Sequence, residues 1–381
     1  MSDINARTPR GRIVYWLQGQ SIQNFGDFLS EYFAAHLFVM VPRPPGEVRL
    51  VGSCLEDTFI PTAQDLLPSQ RDGVTVTAWT AGMRAPGSLS AHAARRTEIL
   101  AVRGPLTASE LALGIGAPIG DAGLLLPALY SPRRSTDTAG RVVCVPHFHD
   151  RRSDEEICRL TGAEVVLRTA IGPTFADIEA FVDRLTSAGF VLCGALHAAI
   201  VAAAYGRPFG FWDSGNIDLP FKWRDFAASI GIAASFHVTA SEAQAWYEAD
   251  ARNAIRLPSM WRVLAVSPFP VKPAALLRLL RWQQQRVAAP ASELDTAIED
   301  FERHAAHLDA IAIRANQLVD DIAERANAAC HQRECAAAQA REQSDRARSL
   351  ENTVEALQAA MSEVEQQAQQ LSARLQIAEE G

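Results

Sequence analysis

One histidine, His197, lies at a junction between two apolar segments, and this placement makes it the first candidate for chemistry. The run FVLC at 190–193 is rich in β-forming residues, Gly194 interrupts it, and LHAAIVAAAY at 196–205 favours a helix. A second β-like run, FGFW at 209–212, follows. Because strands and helix N-termini meet at anion-binding clefts, we expect His197 and Gly194 at such a site. The alternative is a buried histidine in the core.

A polar turn near the start repeats this pattern. The sequence Asn24-Phe25-Gly26-Asp27 follows the β-like IVYWL and precedes the helix-like FLSEYFAAHLF. Asp27 could act as a catalytic or acceptor-binding carboxylate, with Asn24 and Gly26 beside it in the cleft. It could equally be a first-turn carboxylate that the helix dipole favours.

An arginine ends another strand. In VRGPLT, Arg103 precedes Gly104 and Pro105, so its guanidinium and the free N–H groups of a new helix would converge on a phosphate or carboxylate. The alternative is an ion pair between Arg103 and a carboxylate on a neighbouring helix.

Two further turns carry polar residues at strand ends. Asp121 lies in a second Gly-Asp turn, within GDAGLLLP, and is a candidate for the acceptor side of the cleft. VPHFHD places His147 and His149 after a strand. Two histidines alone are too few ligands for a zinc ion, which would need help from elsewhere in the chain, so we expect no metal site here, and no cofactor.

Composition limits the class of partner. The net charge is −8 and the sequence has no basic stripe, so nucleic acid is not expected as a partner. The six cysteines are scattered and form no CxxC pair, which favours buried thiols in a reducing cytoplasm. Residues 1–11 lack the apolar segment of a signal peptide, and we expect a short disordered tail there.

The order of apolar runs predicts an α/β fold. β-like and helix-like segments alternate in 12–132 and again in 138–257, and the polar linker SPRRSTDTAG separates the two series. We therefore expect two Rossmann-like domains that face a cleft, and we expect the chemistry in that cleft.

The connector at 258–290 contains AALLRLLRWQQQR, a basic amphipathic helix. Two interpretations stay open at this point. The helix could pack its leucine face on the preceding domain, or it could bind anionic lipid as an interfacial anchor.

Residues 291–381 are predicted to form a helical coiled coil. Apolar residues recur with heptad spacing in two stripes. These are Leu294, Ile298, Phe301, Leu308, Ile311, Leu318 and Ile322, and then Leu350, Val354, Leu357, Met361, Val364, Ala368, Leu371 and Leu375. We expect a homo-oligomer, with a helical hairpin as the alternative.

An ordered set of motifs resembles the polysaccharide pyruvyl transferases. It covers roughly residues 12–235, and RGPLT and LHAAIVAAAYGRP contribute most to it. The full set is NFGD, GSCL, AWTAGMR, VRGPLT, GDAGLLLP, VPHFHD and GALHAAIVAAAYGRPF. The family often has arginine where this chain has Ala195, and glycine where it has Ala198.

The resemblance implies a two-domain fold like that of GT-B glycosyltransferases. It also implies that phosphoenolpyruvate is the donor and that a sugar diol is the acceptor, with a lipid-linked saccharide as one alternative. The product would be a pyruvate ketal of the sugar. Arg103 would hold the donor's phosphate or carboxylate. His197, His147 and His149 match histidines of the family.

This reaction requires a general acid, a general base and groups that bind anions. We expect His197 to hold phosphate when protonated or to donate a proton, and Asp27 to deprotonate the acceptor. The enzyme would be cytoplasmic, with peripheral association at the inner face of the membrane as an open alternative. Two other readings stay open: a glycosyltransferase that uses a nucleotide sugar, and an inactive binding module on a coiled-coil scaffold.

Overall fold

The computed structural model describes residues 12–40, 46–61 and 74–284, and individual positions between 343 and 362. The chain divides into two compact units, Met1–Leu308 and Asp309–Gly381. All the elements named below belong to the first unit.

The strands and helices alternate along the chain, as the sequence predicts for an α/β protein. The strands are β1 (Arg12–Ile13), β2 (Gln23–Asn24), β3 (Glu47–Arg49), β4 (Val76–Ala78), β5 (Thr97–Ile99), β6 (Val142–Val145), β7 (Val165–Val166), β8 (Ala170–Ile171), β9 (Phe190–Cys193), β10 (Phe209–Trp212) and β11 (Phe236–His237). The α-helices are α1 (Phe25–His36), α2 (Ala91–Ala94), α3 (Pro105–Glu110), α4 (Asp154–Thr161), α5 (Phe175–Ser187), α6 (Leu196–Ala204), α7 (Pro220–Ser229), α8 (Ala240–Trp246), α9 (Met260–Ala265) and α10 (Pro273–Gln284). Short 3₁₀ segments cover Asp57–Phe59 and Ala122–Ala128, and a π-helical turn, Tyr247–Ala251, continues α8.

Two sheets are parallel throughout. The four-stranded sheet has the order β1-β3-β4-β5, and the five-stranded sheet has the order β11-β10-β9-β6-β7. Parallel strands need crossover connections, and here helices supply most of them. All four residues of β9 and of β10 are buried, as expected for strands covered on both faces. The predicted α/β class with parallel sheets is therefore confirmed.

A short antiparallel ribbon joins residues from the two halves of the chain. In β2 and β8, Gln23 pairs with Ile171 and Asn24 pairs with Ala170. The amide of Phe25 also donates a hydrogen bond of 2.9 Å to the carbonyl of Thr169. These bonds fix the start of α1 beside the five-stranded sheet.

The segment around His197 folds as its sequence predicts. β9, a turn, α6 and β10 follow one another, and α6 is buried at every residue except His197. Its alanines allow close approach to the 3₁₀ segment: a Cβ on Gly123 would lie 2.7 Å from Cγ2 of Ile200.

The basic helix of the connector, α10, packs on the rest of the first unit. Leu276 and Leu279 of α10 are buried, and Nζ of Lys272 donates a 2.5 Å hydrogen bond to the carbonyl of Ala35. This is the packing interpretation of the two left open by the sequence. No helix in the described part of the chain is long and apolar enough to cross a membrane.

The predicted coiled coil falls mainly outside the described residues, as does the predicted tail at 1–11. Where positions between 343 and 362 are described they are helical, and Leu350 is exposed. The other residues of both heptad stripes lie outside the described residues. Coiled-coil pairing stays a prediction.

Candidate functional site

A cavity of about 610 Å³ opens where the β2–β8 ribbon meets the ends of both parallel sheets. Six residues that the sequence singles out line it together: Asn24, Gly26, Asp27, His147, His149 and His197. They lie far apart in the sequence and follow three different strands, β2, β6 and β9. The cavity is therefore the candidate active site.

Gly26 and His197 are in close contact at the floor of this cavity. A Cβ on Gly26 would lie 2.0 Å from Nδ1 of His197, well inside contact distance. Asn24 fixes Gly26 in turn, because its side-chain oxygen caps α1 by accepting a 2.9 Å hydrogen bond from the Gly26 amide. The imidazole of His197 can therefore occupy this position only because residue 26 has no side chain.

His197 is neutral in this environment. Burial lowers its pKa to about 3, and the positive charges of Arg103 and Lys222 lower it further in the same direction. This environment therefore does not favour the expectation that a protonated His197 holds phosphate. A neutral imidazole still donates one hydrogen bond and accepts another.

Burial shifts the pKa of Asp27 in the opposite direction. Burial raises its pKa to about 6, although Lys222 and His147 partly oppose the shift. Its Oδ1 lies near Gly52, where a Cβ would be 3.3 Å away and where φ is +104°. A carboxyl group with this pKa exchanges protons readily near neutral pH, as an acid–base catalyst must.

A charged trio forms one wall. Lys222 donates a hydrogen bond to Oδ2 of Asp218, and Nε2 of His147 lies 3.3 Å from the same oxygen. The hydrogen bond from His147 and the charge of Lys222 hold the pKa of Asp218 well below its usual range. Burial lowers the pKa of Lys222 but its pairing with Asp218 favours the charged ammonium. The trio thus places a mostly buried cation in the cavity.

Two arginines, Arg49 and Arg84, also line the cavity. Nη2 of Arg49 lies 2.5 Å from a carboxylate oxygen of Glu47, and Nε of Arg84 lies 2.6 Å from one of Glu56. Both guanidinium groups lie 5.7 Å from the ring centre of Phe59. Guanidinium groups suit phosphate and carboxylate ligands because they donate in a planar fork.

An aromatic cluster forms one rim. The ring of Trp16, which is 42% exposed, lies 5.1 Å from Phe148 and 5.3 Å from His149, with edge-to-face geometry in both pairs. Such a surface can pack against the apolar face of a sugar ring.

One residue of the cavity lining, Thr169, carries a buried hydroxyl without a partner. Thr169 is 4% exposed, and its Oγ1 has no hydrogen-bond partner among the described residues. Buried polar atoms are normally paired, but this oxygen is almost inaccessible, so a ligand could reach it only if the wall moved.

Arg103 does not line the cavity. It is 1% exposed, its Nη1 donates a 2.7 Å hydrogen bond to Ser53, and its Nη2 donates one of 3.2 Å to the carbonyl of Met83. Its Nε lies 3.4 Å from Oδ2 of Asp225. The geometry favours the alternative of an ion pair with a neighbouring helix, and direct contact with a donor stays an unsupported expectation.

Asp225 also takes the place of the anion expected beside Gly104. Its Oδ1 accepts hydrogen bonds of 3.0 and 2.9 Å from the amides of Leu106 and Thr107 at the start of α3. A Cβ on Gly104 would lie 2.1 Å from the carbonyl oxygen of Asp225. Gly104 therefore permits α7 to approach α3 and does not bind a ligand in this arrangement.

Two other predicted residues lie behind the wall. Asp121 is buried outside the cavity, where its Oδ1 accepts a 2.9 Å hydrogen bond from the Gly123 amide and burial raises its pKa to about 6. Gly194 precedes Ala195, which lines the cavity, and a Cβ on Gly194 would lie 2.8 Å from the ring of Trp212. Neither of these two residues lines the cavity.

Sequence reasoning missed the cations and the unpaired hydroxyl. Arg49, Arg84, Thr169, Asp218 and Lys222 all line the cavity. A usable signal was present at DLPFK, which follows the strand FGFW and starts a helix at Pro220, as the other site turns do. Trp16 carried a weaker signal, since it lies next to the end of the first apolar run, IVYWL.

No group of three or more His, Cys, Asp and Glu side chains within the described ranges is arranged to hold a metal ion. The described cysteines are free thiols, and burial raises the pKa of the cavity-lining Cys54 to about 11. Comparisons of the chain with models of protein families, with characterised proteins and with solved structures found no match. The family resemblance therefore stays a hypothesis.

Proposed function

We propose that this chain is a transferase that joins the pyruvyl group of phosphoenolpyruvate to a sugar diol as a ketal. This is the reaction that its resemblance to polysaccharide pyruvyl transferases implies. The observation that supports it best is the grouping of Arg49, Arg84 and Lys222 around Asp27 and His197 in one cavity.

The charges of the cavity suit the donor. Phosphoenolpyruvate carries a carboxylate and a phosphate, and three cationic side chains line the wall. Glu47 and Glu56 pair with the two arginines at the edge of the site, and Asp218 pairs with Lys222. In this proposal Lys222 supplies a cation to the cavity that Ala195, where the family often has arginine, does not supply.

The acid–base group of the proposal is Asp27. A proton is added to the methylene carbon of the donor, and one sugar hydroxyl attacks the carbon that bore the phosphate ester. The C–O bond to phosphate then breaks, and the second hydroxyl completes the ketal. Of the two hydroxyl protons, one balances the proton taken up by carbon and the other leaves with phosphate. Asp27, with a pKa of about 6, can pass these protons.

His197 and the aromatic rim supply positioning. Neutral His197 would donate a hydrogen bond to an oxygen of the donor, and Trp16 would carry the sugar ring. A GT-B-like pair of domains, self-association through the C-terminal region, a lipid-linked acceptor and a cytoplasmic location belong to the same proposal.

Calorimetric titration of the full chain with phosphoenolpyruvate tests the proposal. We expect saturable binding that Lys222→Met weakens about tenfold or more, since a charge-assisted contact is lost. Arg95→Gln, an exposed arginine at the end of α2, is the matched control and should bind as the wild type does. Nucleotide-sugar binding that Lys222→Met weakens, in place of phosphoenolpyruvate binding, would favour a glycosyltransferase, and binding of neither ligand in this cavity would overturn both enzyme readings.

A further inference from the structure

A second cavity of about 590 Å³ lies at the other end of α6 and β10. Leu196 begins α6 and lines the first cavity, whereas Ala203 lines the second, roughly 10 Å farther along the helix axis. Phe209, the first residue of β10, also lines the second cavity. The two cavities share no lining residue, so a ligand of the second cavity is not part of the candidate active site.

Three arginines give this cavity a positive charge on a chain whose net charge is −8. Arg252 is paired, through a 2.7 Å contact with Glu248. Among the described residues, Arg256 donates from Nη1 to the carbonyls of Asn253 and Ile255 at 2.8 and 2.9 Å. No carboxylate of the described residues pairs with Arg207 or Arg256. The cavity therefore favours an anion.

Aromatic rings also line the cavity. Tyr247 is buried, and Trp261 and Trp282 are half-buried. Tyr247 is anchored in the core, 6.1 Å from the ring of Phe209. Tryptophan and tyrosine rings stack on planar groups such as nucleobases, and arginine binds phosphate through a planar fork.

From these contacts we infer that the second cavity binds a nucleotide, with Arg207 and Arg256 on the phosphate and the tryptophan rings against the base. Its volume lies within the range of about 300–1,000 Å³ typical of small-molecule sites. A lipid surface fits less well, because α10 turns Leu276 and Leu279 into the protein core. The site is separate from the proposed transferase site and does not depend on that function.

Tryptophan fluorescence and calorimetry with adenosine and uridine diphosphate test this inference on the full chain. We expect saturable binding with one site per chain and a change in fluorescence. The double variant Arg207→Gln/Arg256→Gln should weaken binding at least tenfold, because two charged contacts are lost. Lys222→Met should leave nucleotide affinity unchanged, and Arg95→Gln serves as the surface-charge control.

Three comparisons decide the ligand class. Equal affinity for inorganic phosphate would overturn the role of the rings, and equal affinity for the unphosphorylated nucleosides would overturn the role of the arginines. Binding to vesicles rich in phosphatidylserine, without nucleotide binding, would assign the surface to lipid and contradict the inference. Nucleotide binding that Lys222→Met abolishes while the double arginine variant retains it would place the nucleotide in the first cavity and also overturn it.

Discussion

The imidazole of His197 fills the space that a side chain on Gly26 would need, with Nδ1 2.0 Å from the ideal Cβ position. The contact joins the first turn of α1 to the first turn of α6, so it couples the two turns that supply Asp27 and His197 to one cavity. The geometry of the candidate site therefore depends on a missing side chain as much as on the charged ones.

Gly26→Ala should destabilise the protein and impair the site. The new methyl group forces the buried ring or the helix to move, at a cost of about 1–3 kcal/mol in the free energy of unfolding. Gly114→Ala is the matched control, because nothing lies within 4 Å of a Cβ there and its φ is not left-handed.

The double variant Gly26→Ala/His197→Ala isolates the contact. Removal of the ring should restore most of the stability lost in Gly26→Ala, which chemical denaturation of the four proteins of this cycle would measure. Additive losses would contradict the proposed clash.

Asp27 should make the protein less stable as pH rises through about 6. Its pKa in the folded protein, about 6, lies above the ordinary 3.8, so the folded state holds the proton more tightly. Below pH 4 this group has no effect on stability, and above pH 6 its buried charge costs roughly 1–3 kcal/mol.

Asp27→Asn should accordingly raise the melting temperature at pH 7.5 but not at pH 4, while it lowers transferase activity. The exposed Asp250→Asn should shift neither quantity. A melting temperature of Asp27→Asn equal to that of the wild type at both pH values would show that Asp27 is not perturbed by burial.

His197 should stay neutral throughout the physiological pH range. With a pKa lowered to about 3, the folded protein excludes the charged form, so stability is lost as pH falls below about 6.5. NMR of ¹⁵N-labelled histidine should show no titration of His197 down to about pH 4. The signal is assigned with His197→Asn, and the exposed His92 provides a reference in the same spectra. Titration of His197 near pH 6.5 would contradict this and restore its predicted role as a protonated ligand of phosphate.

Substitution of Arg103 should mainly reduce stability, whereas substitution of Arg84 should mainly weaken donor binding. Arg103→Met leaves Asp225 as an unpaired buried carboxylate and should cost about 3–5 kcal/mol of stability. Arg84→Met removes a partly exposed cavity cation, so it should weaken phosphoenolpyruvate binding and change stability by less than about 1 kcal/mol. Denaturation and calorimetry on both variants measure the contrast. A stable Arg103→Met protein that no longer binds phosphoenolpyruvate would return Arg103 to the donor site.

Local pattern was enough to predict the class of fold and much of the site. The series around His197 forms β9, α6 and β10, because β-formers, glycine and alanine each favour the conformation they adopt. Turns after parallel strands converge by geometry, which brings His147 and His197 to one cavity, and the antiparallel β2–β8 ribbon brings Asn24 and Asp27 to the same place.

The rest of the candidate site depends on tertiary contacts that no local sequence pattern encodes. Arg103 has the sequence context of an anion ligand, but Asp225, more than a hundred residues away, reaches the same helix start first. Lys222 becomes a cavity residue only because α7 is folded over α3. The basic helix α10 is amphipathic enough for a lipid surface, yet its Leu276 and Leu279 pack into the core.

The most direct test of the central proposal follows the donor's carbon through the reaction. Phosphoenolpyruvate labelled with ¹³C at its second carbon is incubated with the full chain and a panel of methyl glycosides and lipid-linked saccharides, and ¹³C NMR is recorded alongside phosphate release. We predict a ketal carbon signal that grows in step with phosphate for at least one acceptor and is strongly reduced in Asp27→Asn. Phosphoenolpyruvate that stays intact with every acceptor, or phosphate release that yields free pyruvate alone, would contradict the proposed transfer.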